Sequence, residues 1–524
     1  MVNTQLFQTT PGTLLPVPDV RNLAGAPAYA LAPRHQLAQL AATGCLNHTF
    51  YATAESQLDT VLALAQGVDP AFVAKTAIHA RQAGHMKDMP ALLAASLAVR
   101  DVALLSRVFG RVIDNGKMLR NFVQILRSGA VGRKSLGTRP KKLVQQWLLS
   151  ASEKQLLNAS VGTSPSLADV VKMVHPKPAE AWRAAWFAWL IGRPHDEAAL
   201  PPLTQSLERF KRACAEGVDA EVPAVPFQLL TALPLTRGHW AQLARNGSWQ
   251  MVRQNLNTFA RHGVFELPGM ADVVAAKLRD AQAVAQARVL PYQLLSAYKA
   301  TGGDTPAEIR EALQDAMEQA TANVPALAGR VVVCPDVSGS MSSAITGHRG
   351  SATSSVRCID VAALVAAAVL RKNPSARVLP FEQKVVPLLL NPRDSVMTNA
   401  NALAAIGGGG TNCSAPLALL NQERADVDLV VIVSDNESWV DAKRHGATQT
   451  LREWEVLKQR NPGARLVCID IQPNTTTQVA ERADVMNVGG FSDEVFKLLA
   501  AFAAGGLGVN HWVSVIDGVP LDTA

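Results

Sequence analysis

Aromatic residues make up only 5% of this sequence, too few for a broad stacking platform for single-stranded nucleic acid. The six cysteines, Cys45, Cys214, Cys334, Cys358, Cys413 and Cys468, lie far apart and form no CxxC pair. Structural zinc and a disulfide framework are therefore not expected, and a reducing cytoplasm fits. No uninterrupted apolar run reaches the roughly 18 residues a membrane span requires. The opening MVNTQLFQTTPGTLLPVPDV has neither a basic start nor an apolar stretch, so no secretory signal is expected. Also missing are a GxxxxGK[ST] phosphate loop, an HExxH zinc helix and a GxSxG elbow. The glycines 407–410 have no lysine after them, which argues against nucleotide binding.

What is present is an ordinary globular balance, 48% apolar and 18% charged, over 524 residues. That length is too great for one core and suggests at least two domains. The net charge of +7 is unevenly spread. Residues 1–325 hold 33 Lys and Arg against 24 Asp and Glu, whereas residues 326–524 hold 17 against 19. A basic first half hints at a polyanionic partner; an ordinary basic surface is the plainer alternative.

From Ser56 to about Asn323 one amphipathic helical pattern follows another, with apolar residues recurring at three and four. PAFVAKTAIHARQAG (70–84), the segment 89–109, SLADVVKMV (166–174) and TPAEIREALQDAMEQATAN (305–323) are examples. Breaks fall at Gly, Pro and Asn, and no strand pattern intervenes. There is no strict repeat. The pattern suits stacked helical pairs of the HEAT or armadillo kind, or a compact irregular helical domain. Trp182, Trp186 and Trp189 fall at helical spacing, and core packing is the expected role of that stripe.

At Arg330 the texture changes. RVVVC, VDLVVIVSD (427–435) and ARLVCIDI (464–471) are dense apolar runs of the kind that form buried parallel strands. ARVLPFE and KVVPLLL read as two further short strands. Residues 358–373, 450–461 and 493–504 read as helices. Alternation of this kind predicts an open, doubly wound α/β sheet, with ligands bound at the carboxyl ends of its strands.

Three oxygen-rich loops occur in this half. Asp336-Val337-Ser338-Gly339-Ser340 comes first, then Gly407–Gly410 with Thr411, then Ser434-Asp435-Asn436-Glu437. Asp336, Ser338, Ser340, Thr411 and Asp435 would bring two carboxylates and three hydroxyls to one hard cation. Mg²⁺ suits so few protein oxygens, because it keeps waters. In this order the loops match the metal-ion-dependent adhesion site of von Willebrand factor A domains. A site with several hydroxyl ligands leaves a position for a partner's acidic group, which is a binding geometry rather than a hydrolytic one.

An A domain after a long helical region, with SDNESW (434–439) at its third loop, resembles the Ro sixty-kilodalton autoantigen family of TROVE-domain proteins, bacterial members included. GCLNHTFYAT (44–53) is similar to that family's Gly-Thr-Tyr-Tyr segment, although it reads His48-Thr49-Phe50-Tyr51 here. Residues 80–98, LADVVKMVHPKP (167–178), 248–265 and 286–302 resemble further blocks in the family's order. Residues 151–166 do not reproduce the basic pattern of some members. The resemblance implies a multidomain fold: an all-α, HEAT-like helical-repeat ring over residues 1–325, an α/β doubly wound A domain over 326–510, and a C-terminal tail over 511–524. It also implies a noncatalytic, monomeric, cytoplasmic protein that binds Y-like small RNA and holds the ends of misfolded noncoding RNA. An exoribonuclease is a candidate partner.

Residues 107–142 hold ten Lys and Arg and one acid, Asp114. Within them VGRKSLGTRPKKLVQQW is a glycine-containing basic loop entering a helix, and such a loop can bring backbone N–H groups to phosphates. Arg133, Lys134, Arg139, Lys141 and Lys142 are the candidate RNA contacts, and a solvated charged face is the plain alternative. His175, beside Pro176 and Lys177, would by itself be a structural hydrogen-bonder; the resemblance adds it to the RNA contacts. Two other functions compete with RNA binding: an A-domain protein-binding module of an ATPase or co-chaperone-like complex, and a metal-dependent nuclease.

Overall fold

The computed structural model describes residues 15–43, 46–287, 289, 291–321, 324–348, 355–442, 446–490, 493–507 and 510–522. Cys45 therefore lies outside the described residues. From Pro33 to Thr321 the described chain is a succession of helices of up to fifteen residues. Side chains set many of their starts. Asp69 Oδ1 accepts from Phe72 N at 2.9 Å, with Pro70 in the first turn. Ser152 with Gln155, and Ser166 with Asp169, form capping boxes. The stretch 89–109, a single amphipathic segment by sequence, is two helices, Asp88–Arg100 and Val102–Val112. Asp101 ends the first and caps the second, its Oδ1 accepting from Ala103 N at 3.1 Å and Leu104 N at 2.9 Å.

Helices pack on their second neighbours as well as their first, as in a two-layer helical-repeat stack. Asp88–Arg100 lies on Gly116–Ser128, Val102–Val112 on Thr138–Ser150, and Gly116–Ser128 on Glu153–Ser160. The last contact depends on Gly116, where a Cβ would stand 2.1 Å from the Ala159 Cβ. The tryptophan stripe is packing, as expected. Trp186 is buried and donates its indole N–H to Thr204 Oγ1 at 3.1 Å.

Eight strands are present among the described residues: β1 Val20–Arg21, β2 Pro27–Ala30, β3 Val331–Pro335, β4 Arg377–Val378, β5 Leu429–Ser434, β6 Arg465–Asp470, β7 Thr476–Thr477 and β8 Val485–Gly489. β4-β3-β5-β6-β8 form an all-parallel sheet. β3, β5, β6 and β8 are almost wholly buried, which explains the dense apolar runs of the first three. Two expectations are corrected here. KVVPLLL (384–390) forms no strand and makes only the bridge Phe381–Val385, and its Leu389 is 98% exposed. β8 was not foreseen, because Asn487 interrupts its apolar pattern. That buried amide is satisfied by Val479 O at 3.1 Å and Glu481 Oε2 at 2.7 Å.

The first region is also not free of strands. β2 pairs with β7, with Tyr29 opposite Thr477, so the chain's early residues attach to the A domain rather than to the helical stack. Nor are residues 511–524 a simple tail. His511–Asp517 is a helix that packs on Pro33–Thr43 and Pro70–Gln82. Arg34 pairs with Asp517 at 3.1 Å, Arg107 pairs with Asp522 at 2.6 Å, and Lys75 donates to the Asp517 carbonyl.

At the other end of the stack, Pro291–Ala300 packs on Cys358–Lys372, and Ala307–Thr321 packs on Val396–Ala404. Lys299 reaches the buried Asp360 at 2.8 Å. The A domain thus touches both ends of the helical run and closes it into a ring. Because Trp512 is 3% exposed in the first of these joints, Trp512→Ala is expected to remove about 3–5 kcal/mol of core packing. The measurement is the thermal midpoint. An unchanged midpoint would mean that the terminal helix is not part of the closure.

Candidate metal centre and nucleic-acid interface

β3 and β5 are adjacent, and each delivers an acid just past its carboxyl end: Asp336 after Pro335, and Asp435 after Ser434. The backbone supplies the first support. Ser338 N donates to Asp336 Oδ1 at 2.8 Å, and Glu437 N donates to Asp435 Oδ1 at 3.2 Å. Hydroxyls fill in between. Ser434 Oγ donates to Asp336 Oδ2 at 2.6 Å, Thr411 Oγ1 donates to Ser338 Oγ at 2.9 Å, and Ser338 Oγ stands 3.4 Å from Ser340 Oγ. Ser340 also bonds to Asp435.

The glycine run makes this approach possible. Gly339 N donates to Gly409 O at 3.0 Å, and Gly408 N donates to Val337 O at 3.1 Å. Gly409 has a φ of 69°, and a Cβ on it would strike Glu382. All five residues singled out from the sequence, Asp336, Ser338, Ser340, Thr411 and Asp435, therefore converge, and each is buried.

The electrostatics of the site are one-sided. Burial, and then Asp435, push Asp336 up to about 7, while burial raises Asp435 as well. Glu437 is pushed to about 8 by burial and Asp435, and the buried Asp470 rises well above the usual carboxylate range. Among the described residues none of these four acids forms an ion pair, unlike the buried Asp360 with its Lys299 and Arg357. Two buried carboxylates ringed by hydroxyls, without a basic partner, suit a hard divalent cation, which would supply the missing positive charge.

The sequence reading placed Ser434 and Glu437 in the third oxygen-rich loop without counting them among the ligands, and it missed Asp470 and Tyr51. The Tyr51 hydroxyl bonds to Ser340, and its ring stands near enough to Asp435, Glu437 and Asp336 to feel their charges. No local signal in the sequence could have found it, because Tyr51 lies in the helical region, nearly three hundred residues before Ser340.

The basic belt is less uniform than its sequence. Arg107 and Arg111 are engaged by the C-terminal segment, at Asp522 and the Pro520 carbonyl. Arg120 is buried and donates to the carbonyls of Val161 and Pro165. These three are structural, so the ten cations of residues 107–142 do not share one surface. Lys134, Lys141 and Lys142 do come together. With Arg127, Gln145 and Met173 they line a cleft of about 730 Å³. A neighbouring cleft of about 740 Å³ shares Arg127 and Met173 and adds Lys172 and Asp169. Arg127, Lys134, Lys141, Lys142 and Lys172 have no acidic partner among the described residues, whereas Asp169 is held in its capping box.

Arg133 is half-buried and donates to Ala98 O at 3.2 Å, and the exposed Arg139 bonds to Ser106 Oγ at 2.9 Å, so neither lines these clefts. His175 is exposed at the left-handed end of Leu167–Val174, with a φ of 52°. Gln145 ties it to the cleft wall, donating to Val174 O at 2.6 Å and, more weakly, to His175 O at 3.4 Å.

A helical-repeat run closed by a von Willebrand factor A domain is the class of protein that this fold defines. Residues 330–503 match the family model described as the Ro60 vWA domain. The chain is 27% identical to the RNA-binding protein RO60 of Deinococcus radiodurans, over 93% of this chain and 96% of that protein. It is 22% identical to the RNA-binding protein RO60 of Caenorhabditis elegans over 45% of this chain and 37% of the relative. The crystal structure of the Deinococcus radiodurans RO (RSR) protein shares its fold, with a TM-score of 0.62 at 21% identity, over 91% of this chain and all of that one. Residues 330–503 thus match the Ro60 A domain, and nearly the whole chain is similar to a Ro protein in sequence and fold. The names of both relatives are those of RNA-binding proteins rather than enzymes.

The raised acids make a pH dependence with a definite sign. The folded chain holds protons on Asp336 and Glu437 that the unfolded chain releases above about pH 4, so the stability they confer is lost as pH rises toward 7 to 8. In a chelator the melting temperature is expected to fall between pH 5 and pH 8. Asp336→Asn should make that fall shallower, and an equal slope in the variant would contradict the assignment.

Proposed function

We propose that this chain is a noncatalytic RNA-binding protein that takes hold of RNA phosphates at the paired clefts around Arg127 and Met173. One observation carries the reading. Five cations, Arg127, Lys134, Lys141, Lys142 and Lys172, border the two clefts, and the only acid lining them is already engaged in a helix cap. Unpaired cations concentrated along a groove bind a polyanion by counterion release, with little regard to sequence. Arg133, Arg139 and His175 would extend the contact at its margins. The RNA-binding names of the relatives support the same reading.

In finer terms, the ligands are Y-like small RNA and the single-stranded ends of misfolded noncoding RNA, met by a monomeric ring in the cytoplasm, with an exoribonuclease as protein partner. The divalent cation at Asp336, Ser338, Ser340, Thr411 and Asp435 is Mg²⁺, whose role is structural and not hydrolytic.

Lys141→Ala combined with Lys142→Ala should weaken binding to unrelated RNAs alike, because phosphate contacts carry no base information. The slope of log affinity against log salt should flatten by roughly 0.7–0.9 for each lost contact. Folding should change by no more than about 0.5 kcal/mol, since exposed charges contribute little. Filter binding across a salt series, with melting curves alongside, measures both. A folded double variant with unchanged affinity and slope would remove the clefts from the RNA site.

A further inference from the structure

The ligand set read from the sequence leaves a place for an acidic group from a partner. In the folded chain that place is covered from within. All five oxygen-bearing residues are buried, and the loop of residues 47–52, which belongs to the helical region, reaches Ser340 through Tyr51. Asn47 Nδ2 donates to Thr346 O at 2.9 Å, His348 N donates to His48 O at 2.7 Å, and the Tyr51 hydroxyl bonds to Ser340. Gln57 holds the loop from behind, its Nε2 donating to Asn47 O at 2.6 Å.

The neighbouring flank is covered by the chain's early residues. Asn22 Nδ2 donates to Ser438 O at 2.9 Å, and Ala24 N donates to Glu437 Oε2 at 3.1 Å. Between the covers remains a cavity of about 390 Å³, with Tyr51, Thr49 and Arg21 on one side and Asp435, Gln472 and Asn474 on the other. It has room for the few waters a small hard cation keeps, at about 30 Å³ each.

We propose that the A-domain cation site is shared between the two regions of the chain, with Tyr51 as the helical region's own contribution, so that the cation latches the ring shut rather than docking an outside partner. The proposal rests on the reading of Asp336, Ser338, Ser340, Thr411 and Asp435 as a cation site. Its physical basis is linkage. A cation that binds oxygens from both sides of a joint binds the closed form better than the open one, and closure strengthens cation binding by the same factor. The arrangement also accounts for a half-buried phenol placed beside acids that have no basic partner among the described residues.

The test uses the full chain with MgCl₂ as the only added ligand. Isothermal titration calorimetry gives the affinity, and hydrogen exchange of residues 46–53 reports the loop. In the wild type, Mg²⁺ should slow exchange of the loop at least tenfold. Tyr51→Phe removes one oxygen and keeps the ring, and circular dichroism checks that the variant is folded. It should bind Mg²⁺ about 10- to 100-fold more weakly, as loss of a supporting group at a metal site typically does, and its loop should gain no protection. Wild-type affinity and wild-type protection in a folded Tyr51→Phe would overturn the latch while leaving the cation site intact. A wild-type chain that binds no Mg²⁺ at millimolar concentration would overturn the cation reading and the latch together.

Discussion

The joint between the first helices and the carboxyl edge of the A-domain sheet is the constraint on which the rest of the structure depends. A helical-repeat stack has two ends, and each exposes an unpaired apolar face. Here the A domain covers both. At one end the covering is mainly apolar and backbone in character, with β2 on β7 and Trp512 between the first helices. At the other it is helix on helix with a buried ion pair, Lys299 to Asp360. Ring closure also brings the helical region's Tyr51 to the acids, because the sheet edge it meets carries Asp336, Asp435, Glu437 and Asp470.

Charge is divided between the two regions by burial as well as by sequence. The A domain keeps its acids inside, where they repel one another and hold protons above the usual carboxylate range. The helical region keeps a group of cations outside, unpaired, around adjoining clefts. Buried acids without partners favour a small hard cation, and exposed cations without partners favour a flexible polyanion. The two sites therefore select different ligands for the same underlying reason, which is charge left uncompensated by the fold itself.

Much of the architecture was legible in the sequence because it rests on local patterns. Helical periodicity with side-chain caps gave the stack, and β-branched runs ending in Asp336 and Asp435 gave the strands and the loops that follow them. Those loops also lie in one contiguous domain, so the convergence of Asp336, Ser338, Ser340, Thr411 and Asp435 could be expected in advance. Where pattern and structure part, tertiary contacts decide. KVVPLLL looks like a strand but finds no neighbour to pair with. Asn487 looks out of place in a strand but finds every partner it needs. Asp101 divides a continuous apolar pattern because its carboxylate caps the next helix.

The sequence by itself determined the kinds of element, the order of the two regions, the oxygen-rich loops and the excess of positive charge in the first half. These follow from periodicity, propensity and composition, which act over a few residues at a time. Only the tertiary structure decided which cations face one cleft, which are spent on carbonyls and the C-terminal segment, and that Tyr51 stands over the acids of the A domain. Those outcomes depend on contacts between residues hundreds of positions apart, formed when the ring closes, and no local pattern encodes them.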